Sequence, residues 1–242
     1  MTVAGAIENS YMICCVQRTG SWLLAHSLTD LGYAGRPSDY FDEEESTTHA
    51  AQWQVEGFGD YLEAVRRHAT TPNGIFGTKM MWNDFGRFRA RLRDQHRAEI
   101  ADAALIEQVL PGVHYVWLRR QDKIRQGISW WRAVVTQQWA VTPDDESKCV
   151  DLFVDEIVPL VRYASECEDG WRSWFKDQRV AYLELTYEEL VEDRLSTVNR
   201  VLVHVGLPPV DGERLPRPRS RQQADELTEH YVTLVREALR DG

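Results

Sequence analysis

With 38 acidic and 28 basic side chains among 242 residues, the chain carries a formal charge of -10. That balance argues against a nucleic-acid partner, whose phosphates need a basic surface, and makes any local cluster of cations conspicuous. No apolar run approaches the ~20 residues that span a bilayer, and Met1 to Ser10 lacks the basic start and apolar stretch of a signal peptide, so a cytoplasmic single domain is expected.

Four cysteines, two of them adjacent at Cys14 and Cys15, do not read as a disulfide framework, and seven scattered histidines show no ligand spacing. No metal site is expected.

In chain order, Tyr11 to Val16 is an apolar run of strand length. Gln17 to Ser21 is a short polar turn with one Gly and one Arg, and from Trp22 the spacing of Leu24, Leu28 and Leu31 is helical. Strand, tight turn and helix form either an ordinary connection or a cradle that aims backbone N–H groups at a phosphate or sulfate. Arg18 adds a permanent planar charge. Gly35 to Phe41 reads as a loop, followed by the acidic run Asp42 to Glu45, read as solvated surface. Asp39 stands apart from that run, beside two aromatics. It is either a loop-capping acid or a partly desolvated proton acceptor.

Tyr61, Leu62, Val65 and Ala69 mark a helix that ends before the turn Thr70 to Gly74. Ile75 to Trp82 is a second strand with a lone Lys79, which either reaches an anion at the strand end or leaves by an exposed edge. Phe85 to Val109 reads as helical, with its early arginines on a solvated surface. His114 to Leu118 is a third strand that runs straight into four cations, Arg119, Arg120, Lys123 and Arg125. Ile124, Ile128, Trp131 and Val135 then keep helical spacing. Ligands of open α/β sheets bind beyond the carboxyl ends of strands, so Arg120 and Arg125 are candidates for a second phosphate.

Val141 to Asp169 is mostly helical in pattern, and Gly170 to Phe175 reads as a packed aromatic helix end. Val180 to Leu185 is a fourth strand, Thr186 to Glu189 a capping box, and the helix beyond stops at Gly206. Leu215 to Arg221 is a basic irregular segment, a linker or a lid, before a last helix from Ala224 to Leu239.

Taken together these stretches resemble the sulfotransferases that use 3′-phosphoadenosine-5′-phosphosulfate (PAPS), in the bacterial branch typified by the mycobacterial trehalose enzymes. The segments that carry the resemblance are Gln17 to Ser21, Gly35 to Phe41, Thr71 to Asn83, Arg120 to Val135, Gly170 to Phe175, Thr186 to Leu190 with Gly206, and Arg221 to Asp225. The resemblance implies a P-loop-like α/β fold, a mostly parallel sheet with helices on both faces. It implies that Gln17, Arg18, Thr19, Gly20, Ser21 and Trp22 hold the 5′-phosphosulfate. Arg120 and Arg125, with Ser129 as an alternative, would bind the 3′-phosphate, and Arg221 and Gln222 would lie near the nucleotide.

Asp39 falls where the family has its acidic base, normally Glu. Arg18 and Lys79 would stabilise charge in an in-line transfer that needs no metal. Trp22 departs from the family, which has a hydroxyl residue there, as Arg125 departs from its usual Ser. The implied reaction is O-sulfation of a small hydroxyl acceptor (a carbohydrate, a glycolipid precursor or a phenol) with release of 3′-phosphoadenosine-5′-phosphate (PAP). The family also implies a homodimer. Two rivals are a non-catalytic nucleotide-binding protein of the same fold and a nucleotide kinase. The kinase lacks its Gly-Lys-Ser/Thr loop here.

Overall fold

In a computed structural model of the chain, which describes residues 7–96, 100–139, 152–219 and 226–241, the framework is a sheet of four parallel strands. These are β1 (Asn9–Cys15), β2 (Ile75–Met81), β3 (Val113–Arg119) and β4 (Tyr182–Thr186), in the order β2-β1-β3-β4. β1 is paired on both sides, and its last residue, Cys15, lies level with Met81 of β2 and Leu118 of β3. The chain leaves β1 for one neighbour and later crosses to the other. A crevice therefore opens at the carboxyl ends of β1 and β3, where α/β sheets bind their ligands.

Alternation along β1 splits the core. Met12, Cys14 and Val16 face helices α3 (Gly57–Ala69), α4 (Trp82–His96), α5 (Asp102–Val109) and α7 (Val154–Gln178). Tyr11, Ile13 and Cys15 face α1 (Ser21–Asp30), α8 (Tyr187–Glu192) and α9 (Arg194–His204). The expected sheet with helices on both faces is what the chain forms. Burial on both faces explains the continuous apolar run of β1. A smaller apolar cluster joins α6 (Lys123–Thr136), α7 and α10 (Glu226–Asp241) through Ile128, Trp131, Ile157, Val161, Val232 and Val235.

Several boundaries differ from the sequence reading. The acidic run is largely exposed, as expected, but helical: Asp42 is the N-cap of a further helix, α2 (Glu43–Trp53), accepting from the amides of Glu44 and Glu45 at 3.0 and 3.1 Å. Acids in the first turn suit the positive end of the helix dipole. The span Phe85 to Val109 divides into α4 and α5. Arg89 and Arg93 join the two by gripping buried Asp102 at 2.7 and 2.5 Å, so these arginines are structural rather than merely solvated. The segment beyond β4 divides at Asp193, whose carboxylate caps α9.

Gly170 to Phe175 lies in the last turns of α7 with Trp171, Trp174 and Phe175 buried, and at Gly170 the indole of Trp82 occupies the space a side chain would take. A Cβ there would come within 2.3 Å of that ring. Alanine normally favours a helix by about 1 kcal/mol over glycine. Here overpacking wins, and Gly170→Ala is expected to lower stability by roughly 1–2 kcal/mol in urea denaturation.

Candidate active site

Between β1 and α1 the chain makes a tight loop with Arg18 at φ 66° and Gly20 at φ 79°, both left-handed. Glycine is required at position 20 on a second count, since a Cβ would meet the Tyr187 ring at 2.7 Å. The carbonyl of Gln17 accepts from Gln126 Nε2 at 2.7 Å, and that of Arg18 from Arg120 Nη1 at 3.2 Å. In a planar trans peptide the following N–H points the opposite way. Pulling two carbonyls toward α6 and the β3–α6 connection therefore turns the N–H groups of Arg18 and Thr19 away from them. The Thr19 hydroxyl is buried and donates back to the Val16 carbonyl at 2.9 Å.

Helix α1 starts directly from this loop, and no side chain caps it; its first turn contains no acid. Helix α6, which starts at the end of β3, differs. Its N-cap Asp122 accepts from the amide of Arg125 at 2.9 Å, and Glu188 accepts from the amides of Gln121 and Asp122 at 3.1 and 3.2 Å. Among the described residues, the protein supplies its own anions at α6 and none at α1. Of the two helix starts at the crevice, α1 is the one whose first N–H groups meet no capping side chain among the described residues, the arrangement that suits an anion.

The predicted loop residues converge here with two from further along the chain. Arg18 Nε donates to Ser129 Oγ at 2.9 Å, and the same guanidinium donates to the Trp139 carbonyl. Burial, with Arg120 nearby, pulls Arg18 down from the usual arginine range to about 10. Arg120 lies over the Tyr187 ring, 4.3 Å from its centroid. It is buried, and its Nε has no hydrogen-bond partner among the described residues. A buried, unspent guanidinium donor beside the loop fits an anionic ligand. Gln17 reaches across to Asn83 at 3.0 Å, and the Ser21 hydroxyl faces the buried thiol of Cys15, leaving its backbone N–H as its group at the helix start.

Asp39 and Lys79 form the second half of the site. The loop carrying Asp39 lies along the open edge of β2, where the Ser38 carbonyl accepts from the Lys79 amide at 3.0 Å. Arg36 and Tyr40 anchor it further through the carbonyls of His68, Thr70 and Arg36 itself. Asp39 thereby meets Lys79, with Oδ2 and Nζ 2.5 Å apart. The Lys79 side chain is fully buried, and Asp39 Oδ1 is also buried with no hydrogen-bond donor among the described residues. Trp22 lies over Lys79, 4.3 Å from Nζ to the ring centroid. The residue that departs from the expected hydroxyl thus shields the ammonium from water and connects the loop to the Asp39–Lys79 pair.

Not every candidate joins this cluster. Arg125 turns outward, bonded to Asp122 at 2.5 Å and to Glu229 of α10 at 2.6 Å. Arg119 is held by Glu168 and Glu184. Of the cations at the end of β3, Arg120 alone is bonded to the loop among the described residues. Arg221 and Gln222 lie outside the described residues. Sequence reasoning missed Gln126, Asn83, Asp84 and Tyr187. The signal for Gln126 was an uncharged polar residue between Ile124 and Ile128, next to the apolar stripe of an amphipathic helix; it is completely buried. A separate cavity of about 830 Å³ between α2, α3 and α4 is lined by Ser46, Phe58, Tyr61 and Arg91, among others, and by none of the predicted residues.

The chain matches the model of a known family, described as Stf0 sulphotransferase, over residues 10–238. It is 30% identical over 266 residues to the trehalose 2-sulfotransferase of Mycobacterium tuberculosis (strain ATCC 35801 / TMC 107 / Erdman), covering 96% of each chain. To the trehalose 2-sulfotransferase of Mycolicibacterium smegmatis it is 28% identical over 269 residues, covering 96% of this chain and 97% of that one. Among solved structures it resembles the sulfotransferase domain of the Synechococcus PCC 7002 olefin synthase at a TM-score of 0.45 and 14% identity. That likeness covers 99% of this chain and 98% of that one, and is too distant to bear on the fold. The tight loop, the uncapped start of α1 and the Asp39–Lys79 pair are thus set in a chain that belongs, over nearly its whole length, to the Stf0 sulphotransferase family.

Proposed function

We propose that the protein transfers the sulfuryl group of PAPS to a hydroxyl of a small carbohydrate, with release of PAP. The observation that carries this reading is Asp39, an acid held by buried Lys79 with its other oxygen unspent, beside the open start of α1. The name of the mycobacterial relatives supports a sugar acceptor.

PAPS supplies an activated sulfuryl group whose S–O bond to the 5′-phosphate breaks as the acceptor oxygen bonds to sulfur. Residues Gln17 to Ser21 hold the anionic end of the donor, with the N–H groups of Gly20 and Ser21 directed by the helix start. Arg120 binds the 3′-phosphate, and Ser129 orients Arg18. Asp39 Oδ1 accepts the acceptor's hydroxyl proton. Protonation of Asp39 dissolves its ion pair, leaving the charge of Lys79 free to act on the oxygen that gains negative charge as the S–O bond breaks. Trp22 keeps water from the ammonium.

Labelled PAPS and trehalose, with other sugars and phenols in parallel, test the reading; label in the acceptor is the expected result. PAP binding without transfer to any acceptor would instead make the chain a nucleotide-binding module. Arg120→Ala is expected to weaken PAP binding by about 1.5–3 kcal/mol, the worth of a charge-assisted hydrogen bond. An unchanged dissociation constant in calorimetry would remove Arg120 from the 3′-phosphate.

A further inference from the structure

Asp84 is a buried acid to which the proposed transfer assigns no task. It sits in the first turn of α4, with its side chain only 4% exposed. Its Oδ1 accepts from Arg87 Nη2 at 2.5 Å and, more weakly, from Asn83 Nδ2 at 3.5 Å. Asn83 in turn accepts from Gln17 of the loop at 3.0 Å, so a polar chain connects Asp84 to the anion cradle. Charged and titratable groups face it from every side. They are Asp42 before α2, Asp39 from its loop, Lys79 and Cys15 from the strands, Tyr163 from α7, and Arg87 from its own helix, which also reaches Glu43 at 3.3 Å.

Burial raises the Asp84 carboxyl from its ordinary value to about 7, with Asp42 and Asp39 adding to the rise and Arg87 and Lys79 opposing it. Arg87 is the direct partner of Asp84, while the charges of Lys79 and Asp39 reach it through space. We propose that Asp84 is a second titrating carboxylate of this site, a positioning residue whose ionisation sets the pH dependence of turnover. It does so through its field on the Lys79–Asp39 pair and through Asn83 and Gln17. Ionised, it weakens the hold of Lys79 on Asp39 and frees that acid to accept a proton; protonated, it leaves Asp39 tightly paired. The inference rests on the proposed sulfuryl transfer.

The test compares wild type, Asp84→Asn and Asp84→Glu with PAPS and trehalose across the neutral range. Wild-type kcat is expected to fall on the acid side with a midpoint near 7. Asp84→Asn, a permanent mimic of the protonated acid, should lose that limb and turn over about tenfold more slowly at alkaline pH, with KM for PAPS nearly constant. Asp84→Glu should restore the limb. A merely structural acid would leave the profile unmoved, so an Asp84→Asn enzyme with the wild-type limb and wild-type alkaline kcat overturns the proposal. Stability carries an independent sign. A carboxyl raised on folding favours the native state when protonated, so wild-type Tm should decline as the pH rises toward 7 and Asp84→Asn should melt higher than wild type above it.

Carbon-13 titration of the carboxyl groups needs no turnover. A resonance with its midpoint near 7 that vanishes in Asp84→Asn is expected, and its absence overturns the assignment even where sulfuryl transfer is intact. Failure of transfer to every acceptor, with that resonance present, overturns the functional reading and the proposed role in turnover with it, while the titration of Asp84 stands.

Discussion

Asp39→Asn is expected to lower kcat by about 10²–10⁴-fold, the usual worth of a positioned general base, and to leave PAP affinity nearly unchanged. The amide has almost the same shape but cannot accept the acceptor's proton at neutral pH. Because the Asp39 loop is anchored through Arg36, Ser38 and Tyr40 main-chain contacts, the substitution leaves the backbone of the site in place. It does remove the countercharge of Lys79, whose side chain is fully buried. Melting curves must therefore accompany the kinetics. Single-turnover transfer to the sugar with saturating PAPS is the decisive measurement, and a turnover within a few-fold of wild type would remove Asp39 as the base.

Lys79→Met should be comparably severe for turnover and worse for stability. Losing one preorganised electrostatic contact to a developing oxyanion costs roughly 10²–10³ in kcat. Breaking a buried ion pair from one side costs about 3–5 kcal/mol; Asp39, whose side chain is 15% exposed, can partly rehydrate, so the lower end of that range is expected here. The double variant Asp39→Asn with Lys79→Met separates the two effects. With neither charge left to strand, stability in urea should recover most of what Lys79→Met lost, while turnover should stay at the floor. A double variant as unstable as the sum of the singles would mean that the pair is not an energetic unit.

Much of this site is readable from local pattern. The β1–loop–α1 unit shows itself because an apolar run, a polar turn and a helical repeat are adjacent in the chain, and Lys79 because a charge inside an apolar strand demands a partner. Asp39 was distinguishable by its aromatic neighbours, but its partner was not, since Lys79 is forty positions away and the contact depends on a loop pressed against a strand edge. The direction in which each cation points is set by tertiary partners. Arg120 and Arg125 are equivalent in composition, yet Glu229, 104 residues further on, claims Arg125, while the Arg18 carbonyl receives Arg120. Helix α2 escaped notice because among its residues only Ser46 is buried, leaving no apolar stripe to read. Its start was nonetheless written in Asp42 and the acids after it. Asp84 was invisible because an acid early in a helix is ordinary, and only burial makes it unusual.

The bare start of α1 has a consequence beyond recognition. Helices α2, α6, α8 and α9 each begin on a capping side chain, and α3, α5 and α7, which have no such cap, carry an acid in the first turn, whereas α1 begins on Gly20 with neither. On the proposed reading the missing partner is the donor itself, so part of the folding free energy of the first β–α unit resides in a diffusible metabolite. A ligand at a hundred times its dissociation constant adds about 2.7 kcal/mol to the stability of its binding form, enough to change the unfolded fraction nearly a hundredfold. The lifetime of the protein against proteolysis would then rise and fall with the supply of activated sulfate. The cell would keep most of this enzyme when it has something to transfer.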